Sequence, residues 1–292
     1  MNNREEELEI IIDELGDHLA ESFYSTIQVL SAIIARTEKY FEGSHARFVS
    51  SKSAQLAKEL GMNEDETLKI KLAGLLHDLG KIGFSDSELF KNSNDMNSLE
   101  FKNYTKHPKI GSKLLEGHKD FEQLREIIEQ HHEKLDGSGF PNHLKENYIH
   151  PGARIIIVVD AYHNAMYKKQ RNRYTTSSVP ITNTTALLDS TRERYNNIMN
   201  YLTKKSGFLY DKKVVDRFIN MMEIERMNLG KRSILRIPVN KMEPGMLFAE
   251  DYFTSYGMLI AAKGETMTKE MKNALVRFAE AGEIPHKILV MK

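Results

Sequence analysis

Histidine and aspartate recur along this chain in an order that suits metal binding: His45, the pair His77-Asp78, His107, the pair His131-His132, and Asp160. Several of them continue an apolar helical face. Leu124, Ile127, Ile128 and His131 are separated by steps of three and four, which points His131 at the interior, with His132 bordering the same face. His77-Asp78 follows a stripe of Leu68, Leu72, Leu75 and Leu76, and Asp160 follows the apolar run Ile155 to Val159. A buried aspartate or charged imidazole is strongly penalised unless it is paired or bound to a metal, so several on different apolar faces imply a shared partner. Any one of these histidines alone would more often be a core or helix-end residue, and a lone His-Asp dipeptide carries little information. The ordered series is the signal. With no cysteine in the chain, thiolate sites and disulfides are excluded. Imidazole and carboxylate together suit first-row ions such as iron, manganese, zinc or nickel.

Composition sets the frame for that site. The 292 residues contain 41 Lys plus Arg and 41 Asp plus Glu, so no global field favours DNA or an anionic membrane, and phosphate binding must come from local charge placement. An apolar fraction of 40% is enough to fill one large core or two modest ones. The N-terminus opens with charge rather than a signal core, and no apolar run is long enough to span a bilayer. A soluble, unanchored, cytoplasmic protein is the expectation.

The elements that must position these residues are mostly helical. Apolar residues from Leu8 to Ile34 recur at three- and four-residue steps, predicting an N-terminal amphipathic helical region over 1–40, continuous or broken near Gly16. A second helical pattern runs from His45 to Gly61, and a third from Asn63 to Gly80, opened by the capping-box pair Asn63 and Glu66. Residues 85–105 predict a loop and a short helix, and helical spacing returns over Ile110 to Leu115 and Phe121 to His132. The segment Asp136 to Pro141 is dense in turn residues. Ala153 to Ala161 fits a buried strand or a buried helix by periodicity, and its helical neighbours favour helix. A polar, basic stretch over 168–189 predicts an exposed loop or lid. Helix resumes near Leu187 and runs through Val214 to Met222. Beyond Arg232, short strands are expected over Ile234 to Val239, Leu247 to Phe253 and Met258 to Ala262.

Five segments carry a family resemblance: LLHDLGKIG at 75–83, His107-Pro108 with Gly111, HHEKLDGSGFP at 131–141, ARIIIVVDAY at 153–162 and GFLYDKKVV at 207–215. With these the chain resembles the HD-GYP branch of the HD superfamily of metal-dependent phosphohydrolases, over roughly Glu21 to Met222. The resemblance implies a mainly α fold, an HD-type helical bundle over 41–232, followed by a small α/β or β module over 233–292. It implies that His45, His77, Asp78 and Asp160 bind one divalent metal, and that Asp78 bridges to a second held by His107, His131 and His132. Iron or manganese are the favoured ions. It further implies hydrolysis of a cyclic dinucleotide, cyclic di-GMP to pGpG or GMP, by a hydroxide bridging the metals. Lys81 would steady charge developing on the phosphate, making Asp78 and Lys81 the catalytic pair.

The departures from the family pattern fall on the substrate side. Gly139-Phe140-Pro141 keeps the aromatic face of Gly-Tyr-Pro and loses the phenolic hydroxyl. After Asp160 the family shows an acidic residue and then Arg-Pro-Tyr, where this chain has His163-Asn164 and a basic run, followed by an insertion of about twenty residues. Substrate contacts are therefore expected from Lys81, Asp136, Gly137 and Phe140, with Lys169, Arg171 or Arg173 taking the arginine's role unless the basic run is only a solvated loop. Phe41 stands where some members place a third-metal glutamate, so two metals are expected. The tail resembles a small module found beside HD-type signalling domains. It or the 136–141 loop could meet a signalling protein, which leaves a second reading open: a weakly active or silent member serving as cyclic-dinucleotide receptor or protein-binding module. A third is an HD phosphohydrolase for another nucleotide.

Overall fold

The computed structural model describes residues 26–27, 29–30, 33–34, 37–38, 44–91, 93–168, 184–229, 233–250, 252–254, 259–261, 264–267 and 269–291. Most of the N-terminal 1–40 region lies outside them. Of its described part, Thr26, Ile27, Val29, Leu30, Ile33 and Ile34 are helical, and Ile27 and Ile34 are buried in the main core.

Local chemistry sets the ends of the helices that carry the site. Helix α1 (His45–Glu59) starts at Ser44, whose hydroxyl oxygen accepts the Arg47 N–H. The buried Glu38 carboxylate accepts the Ala46 N–H and the Ser44 hydroxyl, placing negative charge at the positive end of α1. Gly61, at φ 83°, follows the helix in the left-handed conformation glycine favours. Helix α2 (Glu64–Leu76) opens with the expected Asn63/Glu66 capping box. It stops before Gly80, and the chain tightens into one 3-10 turn over Leu79–Lys81. There Gly80 is pressed against the next segment: a Cβ on it would lie 2.0 Å from the His107 carbonyl oxygen.

Residues 85–105 hold two short helices rather than one, α3 (Asp86–Phe90) and α4 (Ser98–Tyr104), each opened by a capping box. Helices α5 (His107–Leu114) and α6 (Glu122–Gln130) follow. The ambiguous run 153–161 lies within α7 (Pro151–Tyr167), which starts with Pro151 and is capped by His150 Nδ1 accepting the Gly152 N–H at 3.0 Å. Ile155 to Val159 are all buried, as expected for a helix apolar on every side at the middle of a core. Helix α8 (Thr184–Lys205) begins earlier than Leu187, and α9 (Lys212–Leu229) continues past Met222.

Helices α1 and α2 meet at Gly74, where a Cβ would lie 3.0 Å from Ser50 Cα, and the Ser50 hydroxyl donates to the Lys71 carbonyl at 2.7 Å. Leu56, Leu76, Ile127, Ile128, Ile155 and Ile156 are fully buried. Each such side chain contributes roughly 1.5–3 kcal/mol, so the bundle holds its helix ends in place through its core.

The C-terminal residues form a separate core around Met242, Phe248, Leu275 and Val290. Strands β1 (Ile234–Pro238), β2 (Leu247–Phe248) and β5 (Lys287–Met291) make an antiparallel sheet in the order β1-β5-β2, while β3 (Tyr252–Phe253) pairs with β4 (Leu259–Ala261). The central strand β5 and helix α10 (Lys269–Glu280) were not among the expected elements. The expected strand over 247–253 is split in two. Arg47 on α1 reaches this module, donating to the Ile260 carbonyl at 2.8 Å and lying 3.5 Å from Glu265. Among the described residues, no helix is long and apolar enough to cross a membrane.

Candidate metal centre

Helix ends converge on one point of the bundle. His45 is the first residue of α1, His77 and Asp78 follow α2, His107 opens α5, and His131 and His132 follow α6. Asp160 comes from the body of α7. Three imidazoles use the carbonyl three residues earlier: His77 Nδ1 to Gly74 O at 2.8 Å, His107 Nδ1 to Tyr104 O at 2.6 Å, and His131 Nδ1 to Ile128 O at 2.6 Å. A carbonyl only accepts, so each Nδ1 carries a proton, which leaves the inward-facing Nε2 as the nitrogen that can bind an ion.

Those inward atoms form two groups that share Asp78: His45, His77 and Asp78 in one, Asp78, His107, His131 and His132 in the other. In the first, His45 Nε2 is 3.1 Å from His77 Nε2, 3.8 Å from Asp78 Oδ2 and 3.1 Å from Asp160 Oδ1, which brings Asp160 into the group. In the second, His107 Nε2 is 3.3 Å from His131 Nε2 and 3.4 Å from Asp78 Oδ1. Asp78 Oδ1 is buried and has no hydrogen-bond partner, although four imidazoles surround the carboxylate. Donors sharing an ion at about 2.1 Å lie roughly 3–3.5 Å apart, so these spacings and the orphaned oxygen fit metal ions.

Electrostatics separates the two groups. Burial pushes the Asp78 carboxyl up, but His77, Lys81 and His107 outweigh it and hold it well below the usual range. Asp160 is likewise held low against burial by His45 and His77. Burial lowers His77, yet Asp78 and Asp160 raise it on balance. Burial together with Lys81 lowers His107 to about 4. His131 and His132 are driven well down by burial and by neighbouring imidazoles. The second group therefore offers neutral rings at physiological pH.

Around the centre, Lys81 Nζ donates to Asp78 Oδ2 at 2.7 Å and lies 5.3 Å from the Tyr104 ring centroid. Phe140 packs against His132 at 4.7 Å between centroids. It is held there because Glu133, itself buried, accepts the Asn142 and Leu144 N–H groups at 2.6 and 3.0 Å, and because Gly139 folds directly onto the His132–Lys134 backbone. Asp136 and Gly137 shape the same loop: Asp136 accepts the Ser138 N–H at 2.9 Å and Gly137 has φ 81°. Lys169, Arg171 and Arg173 lie outside the described residues.

Three further residues belong to this neighbourhood without being marked by the motifs. Tyr104, three before His107, brings its hydroxyl 3.4 Å from His132 Nε2, and burial pushes its pKa up to about 12. His163, three after Asp160, sits with its Nδ1 2.9 Å from His45 Nδ1. Lys168 Nζ donates to the Lys91 carbonyl at 2.7 Å, tying the end of α7 to the segment after α3, and burial with nearby Lys81 lowers it to about 8. Spacing from an already marked residue was the available signal for Tyr104 and His163.

Known proteins are similar to this chain in sequence. Over 138 residues the chain is 36% identical to the cyclic di-GMP phosphodiesterase response regulator RpfG of Xanthomonas campestris pv. campestris, covering 44% of this chain and 35% of that one. Over 216 residues it is 29% identical to a cyclic di-GMP phosphodiesterase of Thermotoga maritima, covering 73% and 53%. Over 134 residues it is 34% identical to the 3'3'-cGAMP-specific phosphodiesterase 2 of Vibrio cholerae, covering 45% and 25%. The chain thus spans about half or less of the length of these relatives. The HD domain family matches residues 28–190, a stretch containing every member of both groups around Asp78, so that the chain belongs to the HD domain family, as its HD-GYP motifs implied.

Proposed function

We propose that this protein is a metal-dependent phosphodiesterase of cyclic dinucleotides, with cyclic di-GMP the first substrate to test. His45, His77, Asp78 and Asp160 would hold one divalent ion and Asp78, His107, His131 and His132 the other. The observation that carries this reading is Asp78, a buried carboxylate common to both groups with an oxygen left unpartnered. The all-nitrogen-and-oxygen donor set suits iron or manganese. When bound, such ions activate water and neutralise a phosphodiester under in-line attack.

The chain's own residues prepare the site for that chemistry. Ionised Asp78 and Asp160 would balance the charge of bound ions, and the neutral rings of the second group would need to lose no proton to bind. Lys81, half-buried and held cationic by Asp78, would face charge developing on the phosphate. Phe140 and Tyr104 would supply apolar walls that exclude water, with half-buried Phe140 a surface on which a base could stack. Lys169, Arg171 or Arg173 could add a cationic contact.

Incubating metal-loaded protein with cyclic di-GMP, and separately with 3'3'-cGAMP, should release a linear dinucleotide or mononucleotide. Asp78→Ala should abolish it and lower metal content. Intact metal with no turnover of either substrate would refute the enzymatic reading. Measurable cyclic di-GMP binding under those conditions would favour a receptor, the reading motivated by the missing hydroxyl at Phe140.

A further inference from the structure

His45 differs from His77, His107 and His131 in how its outer nitrogen is held. His77, His107 and His131 each point Nδ1 at the carbonyl three residues back. His45 is the first residue of α1, and its Nδ1 lies instead 2.9 Å from Nδ1 of a second buried imidazole, His163. Two nitrogens at that distance share one proton, so one ring donates and the other accepts.

We infer that His163 is the positioning residue of the first metal group, accepting the His45 Nδ1 proton so that the His45 Nε2 lone pair is committed to the ion. This rests on the assignment of His45 as a ligand. His45 must keep Nε2 unprotonated to bind, which places its proton on Nδ1 and makes His163 Nδ1 the acceptor. His163 is then neutral, with its proton on Nε2.

The surroundings fix the His163 ring in that attitude. Phe48, one turn along α1 from His45, packs on it at 4.6 Å between centroids, and Tyr167, one turn along α7, at 4.8 Å. The face of α7 that carries His163 also carries Asp160, three residues before it. Asn164 completes that face by donating to Asp160 Oδ1 at 2.7 Å. One stretch of helix therefore supplies a candidate ligand for the first ion and orients two of them. An acidic residue after Asp160 could also accept the His45 proton. The imidazole does so without adding a further negative charge beside Asp78 and Asp160, and its acceptance depends on tautomer.

The test is Mn²⁺ titration of the full chain by calorimetry, with elemental analysis of the loaded protein. His163→Leu, which has no acceptor, should weaken one class of site by about 10- to 100-fold and leave the other at its wild-type affinity. His163→Asn, whose side-chain carbonyl can accept the same proton, should recover most of the loss. In the metal-free protein, nitrogen-15 NMR should find His45 protonated at Nδ1 in the wild type and mixed between tautomers in His163→Leu. Wild-type affinity in His163→Leu, or equal losses in the Leu and Asn variants, would overturn the inference. His45→Ala separates it from the ligand assignment: if that variant keeps both sites, the assignment itself is wrong. If it loses one while His163→Leu loses none, only the positioning role fails.

Discussion

Gly80→Ala adds a single methyl group at the tightest contact near the centre. The new Cβ would lie 2.0 Å from the His107 carbonyl oxygen and 2.8 Å from the Gly111 nitrogen, both backbone atoms that cannot swing aside. Because real Cβ contacts essentially never fall under 3.0 Å, the 3-10 turn and α5 must part by roughly 1 Å. His107 moves with α5, while His131 and Asp78, 3.3 and 3.4 Å from its Nε2, sit on other segments. Metal–ligand distances tolerate deviations of only about 0.2 Å, so the second group should lose its ion while the first keeps its own. The overpacking should also cost about 1–3 kcal/mol and lower Tm by several degrees. Elemental analysis should fall from two metals per chain towards one, and a thermal melt in excess chelator should isolate the packing cost. Gly83→Ala is the control, since a Cβ there meets nothing within 4 Å. Two metals and a wild-type Tm in Gly80→Ala would refute the argument from close approach.

Other outcomes follow from the same geometry. Phe140→Tyr restores a phenol beside His132, and if that hydroxyl contributes to substrate binding, turnover or cyclic di-GMP affinity should rise severalfold; unchanged kinetics would show that the hydroxyl has no role here. Acidification should weaken the first metal group more than the second. Despite burial, Asp78 and Asp160 raise the pKa of His77, so protons increasingly compete with metal there as pH falls from 7.5 to 6, by up to about tenfold per unit. Burial and Lys81 keep His107 neutral to about 4, and His131 and His132 are lowered too, so Mn²⁺ affinity at that group should change little; equal weakening at both would contradict it. Glu133→Gln keeps one acceptor oxygen and turns an NH2 donor towards the other backbone N–H, so it should lose one of the two ties, cost about 1–3 kcal/mol, and raise hydrogen exchange across 140–144 without removing metal.

Much of this site was legible in the chain because helix periodicity and ligand chemistry are both local. The leucine stripe ahead of His77 and the apolar steps into His131 predict rings that point inward, and the absence of cysteine restricts the donors to imidazole and carboxylate. Asn63 and Glu66 predict where α2 begins, since a capping box involves only neighbours in sequence. The close approach of Gly80 to the His107 backbone, in the 3-10 turn after α2, was not predictable in that way, because its partner is distant in sequence. The run 153–161 was likewise undecided by period, its apolar residues being buried on every side of a central helix. Strand β5 escaped notice because a five-residue strand acquires its identity from the two partners that flank it.

The sequence by itself determined which residue types could meet a metal and in what order along the chain. Tertiary structure alone decided which of them share a neighbour. Tyr104 reaches His132, and His163 faces His45 across 118 positions of chain. Those relations depend on how helices cross, which is set by core packing and close backbone contacts at Gly74 and Gly80 rather than by any local pattern.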